Sequence, residues 1–270
     1  MHPSNHVTKG TRRSFTVLAL AGLVLAALAA LVMPTVASGS EAEHFQYTGD
    51  NGPAFWSELN APTWEDCADD GQSPVNLGTR ATVDPNLDPL ELVLEETPMH
   101  LLNNGHAIEA EYEDGSTLTI GGTEYDLLQF HFHTLAEHTV RGVRLPMEMH
   151  AVFKDSVSGN LAVVGLFFRI GQSSDFLDGL ITAGLPQQEG ETSTVGTVDV
   201  ADVLTPAATS SYYRYAGSLT TPPCSEIVTW TVLESPATMS NGQFRAFQDV
   251  MGNNFRPIQG KHGRPITVTP

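Results

Sequence analysis

Gln129–Phe130–His131–Phe132–His133 and Glu148–Met149–His150 carry the residues best suited to chemistry in this chain. In a β-strand successive side chains point to opposite faces. His131 and His133 then share one face with Gln129. Leu128, Phe130 and Phe132 take the other face and are expected to pack into a core. In the second segment Glu148 and His150 share a face, opposed by Met149 and Ala151. If the two strands pair, three imidazoles converge with a carboxamide and a carboxylate behind them. Three His ligands with an open fourth position make a catalytic zinc arrangement, because the open position can hold water. A His-x-His pair alone is more often an inert, hydrogen-bonded feature of a core. Here His131 and His150 are each preceded at i−2 by a side chain able to accept from a ring N–H, the support that metal-bound histidine needs.

The elements that must position these residues read mostly as strands. Strand-like stretches are Glu91–Leu94, His106–Tyr112, Thr117–Ile120, Tyr125–His133, Met147–Lys154, Leu161–Ile170, Tyr212–Ala216 and Ile227–Leu233. Turn residues such as Asp114–Gly115 and Gly121–Gly122 separate some of them. Leu161–Phe168 is an almost unbroken apolar run, which suits a strand buried on both faces. Helical candidates are few: Asp175–Ala183, and Gly242–Val250 with Ser240 or Asn241 as its cap. Tyr47–Trp64, rich in Gly, Pro and aromatic residues, reads as an irregular segment pinned by its rings. Periodicity therefore predicts a β-dominated domain with small helices.

Composition narrows the partners. The chain has 270 residues and a net charge of −18, so nucleic-acid binding, which needs a basic patch, is excluded. Lysine occurs only at positions 9, 154 and 261; an acidic, Lys-poor surface suits either a saline habitat or ordinary solubility by charge. Residues 1–37 read as a signal peptide, with Lys9, Arg12 and Arg13 ahead of the apolar run Val17–Met33 and a small-residue cleavage site at Thr35–Val36–Ala37. Thr11–Arg12–Arg13–Ser14–Phe15 resembles a twin-arginine export signal, and equally an ordinary basic flank. An uncleaved anchor is the second choice, since the run is short for a span. Cleavage would take the charge from −18 to −21. Residues 38–46 form a short polar lead-in. No membrane contact is expected apart from the leader, and the product would be exported, periplasmic or extracellular. In an exported chain, the isolated pair Cys67 and Cys224 is most simply one disulfide.

The two histidine segments do not stand alone. Ala136–Glu137–His138–Thr139–Val140, Gly217–Ser218–Leu219–Thr220–Thr221–Pro222–Pro223, Gln72–Ser73–Pro74–Val75–Asn76, Asn103–Asn104–Gly105–His106 and Asn254–Phe255–Arg256–Pro257 accompany them. Together, over roughly residues 45 to 268, they resemble the α-class carbonic anhydrases, with the motifs in family order. The resemblance implies a single β-dominated α+β domain, residues 47–270, with a central twisted, mostly antiparallel sheet and short peripheral helices. It implies Zn2+ held by His131, His133 and His150. Gln129 would support His131, Glu148 would support His150, and the backbone carbonyl of Asn254 would support His133.

The implied reaction is the reversible hydration of carbon dioxide to bicarbonate and a proton, by attack of a zinc-bound hydroxide generated from water. A weak esterase reaction at the same zinc is a compatible side activity. Thr220 would accept the hydroxide proton and donate its own to Glu137, and Thr221 would hold an ordered water nearby. Val152, Val163, Leu219, Val228 and Trp230 match the family's apolar wall. His106 matches its proton shuttle, and Tyr47 and Asn104 match residues that order the intervening water. The disulfide would brace the loop carrying Thr220. His138 reads as structural.

Two departures stand out. Thr134 replaces a common Trp, and Glu109 replaces a polar amide at the cavity, which puts anion affinity and shuttle rate in question. The competing reading is a silent binding module of the same fold, but such relatives usually lack one ligand histidine and all three are here. The absence of His-Glu-x-x-His argues against a typical metalloprotease. The sequence is silent on oligomeric state; exported bacterial members often dimerise, which leaves a homodimer open.

Overall fold

Alternation of Phe and His makes one strand serve two purposes, and the fold is built outward from that strand. The computed structural model describes residues 44–270 except 113, 114 and 209. The leader and residues 38–43 of the lead-in lie outside the described residues. Eight strands build the main body of the sheet. They are β1 (Thr97–Asn103), β2 (Ile108–Glu111), β3 (Thr123–Thr134), β4 (Met147–Lys154), β5 (Leu161–Ile170), β6 (Thr192–Val198), β7 (Tyr212–Gly217) and β8 (Val228–Leu233). Their spatial order is β6-β1-β2-β3-β4-β5-β8-β7, continued by the short strands Thr267–Val268 and Thr82–Val83. Pairing is antiparallel except between β5 and β8, between β5 and the short strand Ala237–Met239, and at the far edge. Helices are short: α1 (Trp56–Leu59), α2 (Asp175–Ala183), α3 (Ala201–Ala208) and α4 (Asn241–Met251).

The sheet separates two apolar clusters. Phe130, Phe132, Met147, Met149, Ala151 and Phe153 join the larger core, which Phe176, Leu177 and Leu180 of α2, Leu204 of α3 and Phe247 of α4 cover. Val152, Val163, Trp230 and Val232 belong to the smaller cluster on the opposite face. The histidines of β3 and β4 emerge on that second face. As the unbroken apolar run suggests, β5 is buried on both faces for most of its length. α2 and α4 are joined at their starts. Ser240 and Gln243 form a capping box on α4, and Gln243 Nε2 also donates to Ser174 O and Asp178 Oδ1 of the neighbouring helix start, both at 2.7 Å.

Leu128 departs from simple alternation. Val152 pairs with Gln129 but Phe153 pairs with Leu127, so a β-bulge falls at Leu128. An extra residue in one strand re-aims the side chains beside it. Leu127 enters the core and Leu128, 43% exposed, turns toward the histidine face instead of packing inside. The sequence pattern also passes over β1 and β6. β1 does alternate, with Met99 and Leu101 buried, but Pro98 argues against a strand. β6 is dominated by Thr and Ser, and Pro206 within α3 hides a helix.

The segment Tyr47–Trp64 is pinned by its rings. Trp56, wholly buried, packs with Phe45, Tyr47 and Trp64 around the disulfide Cys67–Cys224. That bond joins the turn just after this segment to the loop after β7, 157 residues away in sequence.

Candidate metal centre

β4 lies beside β3 with His150 opposite His131 and Glu148 opposite His133. One ligand atom from each of His131, His133 and His150 lies within 4.8 Å of the others. Each ring has one nitrogen engaged. His131 Nδ1 donates to Gln129 Oε1 at 2.8 Å and His133 Nδ1 to the Asn254 carbonyl at 2.7 Å. His150 Nε2 donates to Glu148 Oε1 at 3.0 Å. Donation at those atoms leaves the lone pair on Nε2 of His131 and His133 and on Nδ1 of His150.

His133 Nε2 is buried with no hydrogen-bond partner, an arrangement that costs about 1–3 kcal/mol unless something binds there. Burial, aided by the neighbouring imidazoles, pushes the pKa of His131 well below its ordinary value, and burial also pushes that of His133 down. Both rings are therefore neutral bases, the form that binds a metal. Three imidazole nitrogens with a gap between them fit a tetrahedral zinc with one position left over.

Glu148 is satisfied on every side. Oε1 also accepts from His138 Nδ1 at 2.7 Å, and Oε2 accepts the Glu137 and His138 amides, each at 2.8 Å. Burial works against its charge, but His138 and His150 outweigh it and hold the carboxyl well below the usual range. His138 Nε2 lies 2.7 Å from Tyr215 Oη, which donates to Ser73. His138 thus touches no open cavity and orients Glu148 from behind.

Gly165 of β5 is a site residue that the apolar run concealed. It pairs with His150, and a Cβ at this position would lie 3.0 Å from Glu148 Oε1. A lone glycine inside a strand often marks such a close approach. Four hydrogen bonds hold the carboxylate still, so it cannot yield. Gly165→Val is expected to weaken zinc binding by about 10–100-fold, the usual cost of disturbing a ligand's support, as measured by competition with a chelator.

The trio opens into a cavity of about 320 Å³. Val152, Val163, Leu219 and Trp230, all within or packed against the smaller apolar cluster, line it together with Thr220 and Thr221. Val228 is buried in the same apolar cluster but does not reach the cavity; Leu161, its register partner, does. Phe45, Tyr47, Asn104, His106, Glu109 and Leu128 also line it. Phe45 and Leu161 carry no polar atom and no motif, so nothing in their sequence context singles them out. A larger, more open hollow of about 530 Å³ between α2 and α3 carries no histidine.

Other implied contacts differ in detail. Glu137 Oε1 accepts the Arg256 amide at 2.7 Å, while Oε2 is buried without a partner 3.6 Å from His133 Nε2. No hydrogen bond joins Thr220 to Glu137 among the described residues, since the free oxygen turns toward His133. Asn104 spends its amide on its own turn. Its Oδ1 accepts the His106 and Ala107 amides, and its Nδ2 donates to Glu109 Oε2 at 3.2 Å. Tyr47 Oη is buried and unpartnered. Burial, with Glu137 nearby, raises its pKa and keeps it a neutral phenol. Thr134, in place of the bulkier ring, bonds to Gly252 O and to Asn254 Oδ1, and so ties β3 to the loop that supports His133.

A sheet face that turns three imidazoles toward one point, in a cavity lined partly by apolar side chains, is a site that could hold one metal ion beside a small substrate. The family model for eukaryotic-type carbonic anhydrases matches residues 51–270. The carbonic anhydrase of Klebsiella pneumoniae is 39% identical over 89% of this chain and 96% of its own length. That of Pectobacterium carotovorum is 36% identical over 85% and 93%. The solved Photobacterium profundum α-carbonic anhydrase superposes with a TM-score of 0.76 at 37% identity, over 83% of this chain and all of that one. The chain belongs to the α-type carbonic anhydrase family, whose enzymes interconvert carbon dioxide and bicarbonate.

Proposed function

We propose that the protein is an exported zinc enzyme that hydrates carbon dioxide at the His131–His133–His150 centre. The observation carrying this is the directed set of free nitrogens, each ring fixed by a different hydrogen-bond acceptor. Zinc held there supplies Lewis acidity, which makes water a nucleophile at neutral pH.

The chain's own residues do the rest. Gln129, Glu148 and the Asn254 carbonyl orient the three rings and strengthen their basicity. Val152, Val163, Leu219 and Trp230 form an apolar slot that suits carbon dioxide, which has no charge to satisfy. Thr220 and Glu137 form the polar end. With its second oxygen free, Glu137 is the acceptor to which the Thr220 hydroxyl turns when its own oxygen takes a proton from the nucleophile. His106 collects the proton released in each cycle and passes it to solvent. Tyr47 holds water along the way.

Export is supported by the disulfide, since such bonds persist in oxidising compartments, and by the leader. Among the described residues no helix is long and apolar enough to cross a membrane.

The purified enzyme is expected to contain one zinc per chain. Chelation should remove carbon dioxide hydration, and added zinc should restore it. Zinc-loaded protein with no hydration activity would make the chain a binding module of this fold.

A further inference from the structure

Residues 44 and 45 precede the stretch matched by the family model, yet they enclose the His106 ring. Phe45 lies flat on it, with centroids 3.7 Å apart and planes 12° apart. His44 meets it edge-on at 4.5 Å. His44 is itself held at both ends. Its Nδ1 lies 3.2 Å from the Phe45 carbonyl and its Nε2 lies 3.1 Å from Glu189 Oε1. Both partners only accept, so the two contacts are satisfied together only when both ring nitrogens carry protons, which favours the charged ring. Glu189 reaches this place over Gly105. That residue has φ +83°, and a Cβ there would lie 2.8 Å from the Glu189 carboxyl carbon. The turn before His106 thus needs glycine for its backbone and for this passage.

We propose that His44, Phe45 and Glu189 form a clamp on His106, fixing the ring's orientation and setting a positive charge against its edge. The clamp rests on the reading of His106 as the proton shuttle; its three members are positioning residues, not catalytic ones. Electrostatics agree with the geometry. Hydrogen bonds to the Phe45 carbonyl and Glu189 raise the His44 pKa. Burial first, and then the charge on His44, push that of His106 to about 4, with Glu189 acting weakly the other way. Glu109, in the same cavity, is engaged by Asn104. A shuttle so placed is neutral at pH 7, releases a captured proton readily and accepts one reluctantly. Loosening the clamp should therefore raise its basicity.

The test uses zinc-loaded, isotope-labelled enzyme and the NMR titration of His106, assigned by the loss of its signal in His106→Ala. His44→Gln should move the His106 midpoint upward by roughly one pH unit, as removal of a nearby like charge does. The pH profile of buffer-limited turnover should shift the same way. Phe45→Leu should also raise the midpoint by uncovering the ring. In a His106→Ala background His44→Gln should change nothing further. An unmoved midpoint and profile in His44→Gln and Phe45→Leu would overturn the clamp. The shuttle reading is judged separately. His106→Ala should slow proton transfer more than carbon dioxide–bicarbonate exchange, with rescue by imidazole, whereas equal slowing of both would remove the shuttle whatever the titration shows.

Discussion

His150→Ala is expected to abolish both zinc binding and carbon dioxide hydration, leaving a folded chain whose rate is that of the uncatalysed reaction. Two imidazoles on one strand remain, and nothing on β5 can supply a third, because His150 faces Gly165 there. A structural or catalytic zinc site needs at least three protein donors to compete with water. The change is a loss on the order of 10⁶-fold in rate, the low end of enzymatic acceleration. It also frees Glu148 Oε1 from one partner while leaving His138 on it at 2.7 Å, so the carboxylate stays paired and the fold survives. Metal analysis of the purified variant, with circular dichroism as the control for folding, checks this. Unchanged zinc content would remove His150 from the ligand set.

Glu148→Gln should be nearly as harmful to metal binding and more harmful to stability, although the two side chains have the same shape. Every partner of this carboxylate is a donor: His138 Nδ1, His150 Nε2 and two backbone amides. A carboxamide offers one accepting oxygen and an NH2 group that can only donate. Turned one way, its NH2 meets two buried backbone amides that can only donate; turned the other, it meets His138 Nδ1 and His150 Nε2, which can accept only if each ring changes tautomer. Each donor left unpaired costs about 1–3 kcal/mol. The affinity for zinc should fall by about 10–100-fold as His150 loses its orientation. Urea unfolding of the metal-free protein separates the two effects, because the stability loss should appear without zinc. A variant as stable as the parent, with unaltered zinc affinity, would show that His150 does not depend on this carboxylate.

Phe45 illustrates where reading by motif stops. It looks like any aromatic near the start of a domain, and only packing places it on His106. Glu189 is likewise an exposed acid in a loop, and the fold carries it across Gly105 to His44. Asn254 was visible only through a family motif. The atom that serves His133 is its backbone carbonyl, which has no residue type. Gly165 did leave a trace, as a glycine inside an apolar strand, but the reason for it lies in the carboxylate of the neighbouring strand.

Taken alone, the sequence determined which residues share a face. Alternation along Gln129–His133 and Glu148–His150 is a property of adjacent residues, and the chain's extended geometry converts it directly into sides of a sheet. It likewise determined the buried character of β5 and the capped start of α4, which depend on residues a few positions apart. Only the tertiary structure decided the register of β3 against β4, the bulge that sends Leu128 to the cavity, which nitrogen of His133 is free, and the contact that holds His44. Those outcomes depend on partners tens to hundreds of residues away, such as Asn254 for His133 and Glu189 for His44. Contacts of that kind arise from packing the whole sheet, and no local pattern encodes them.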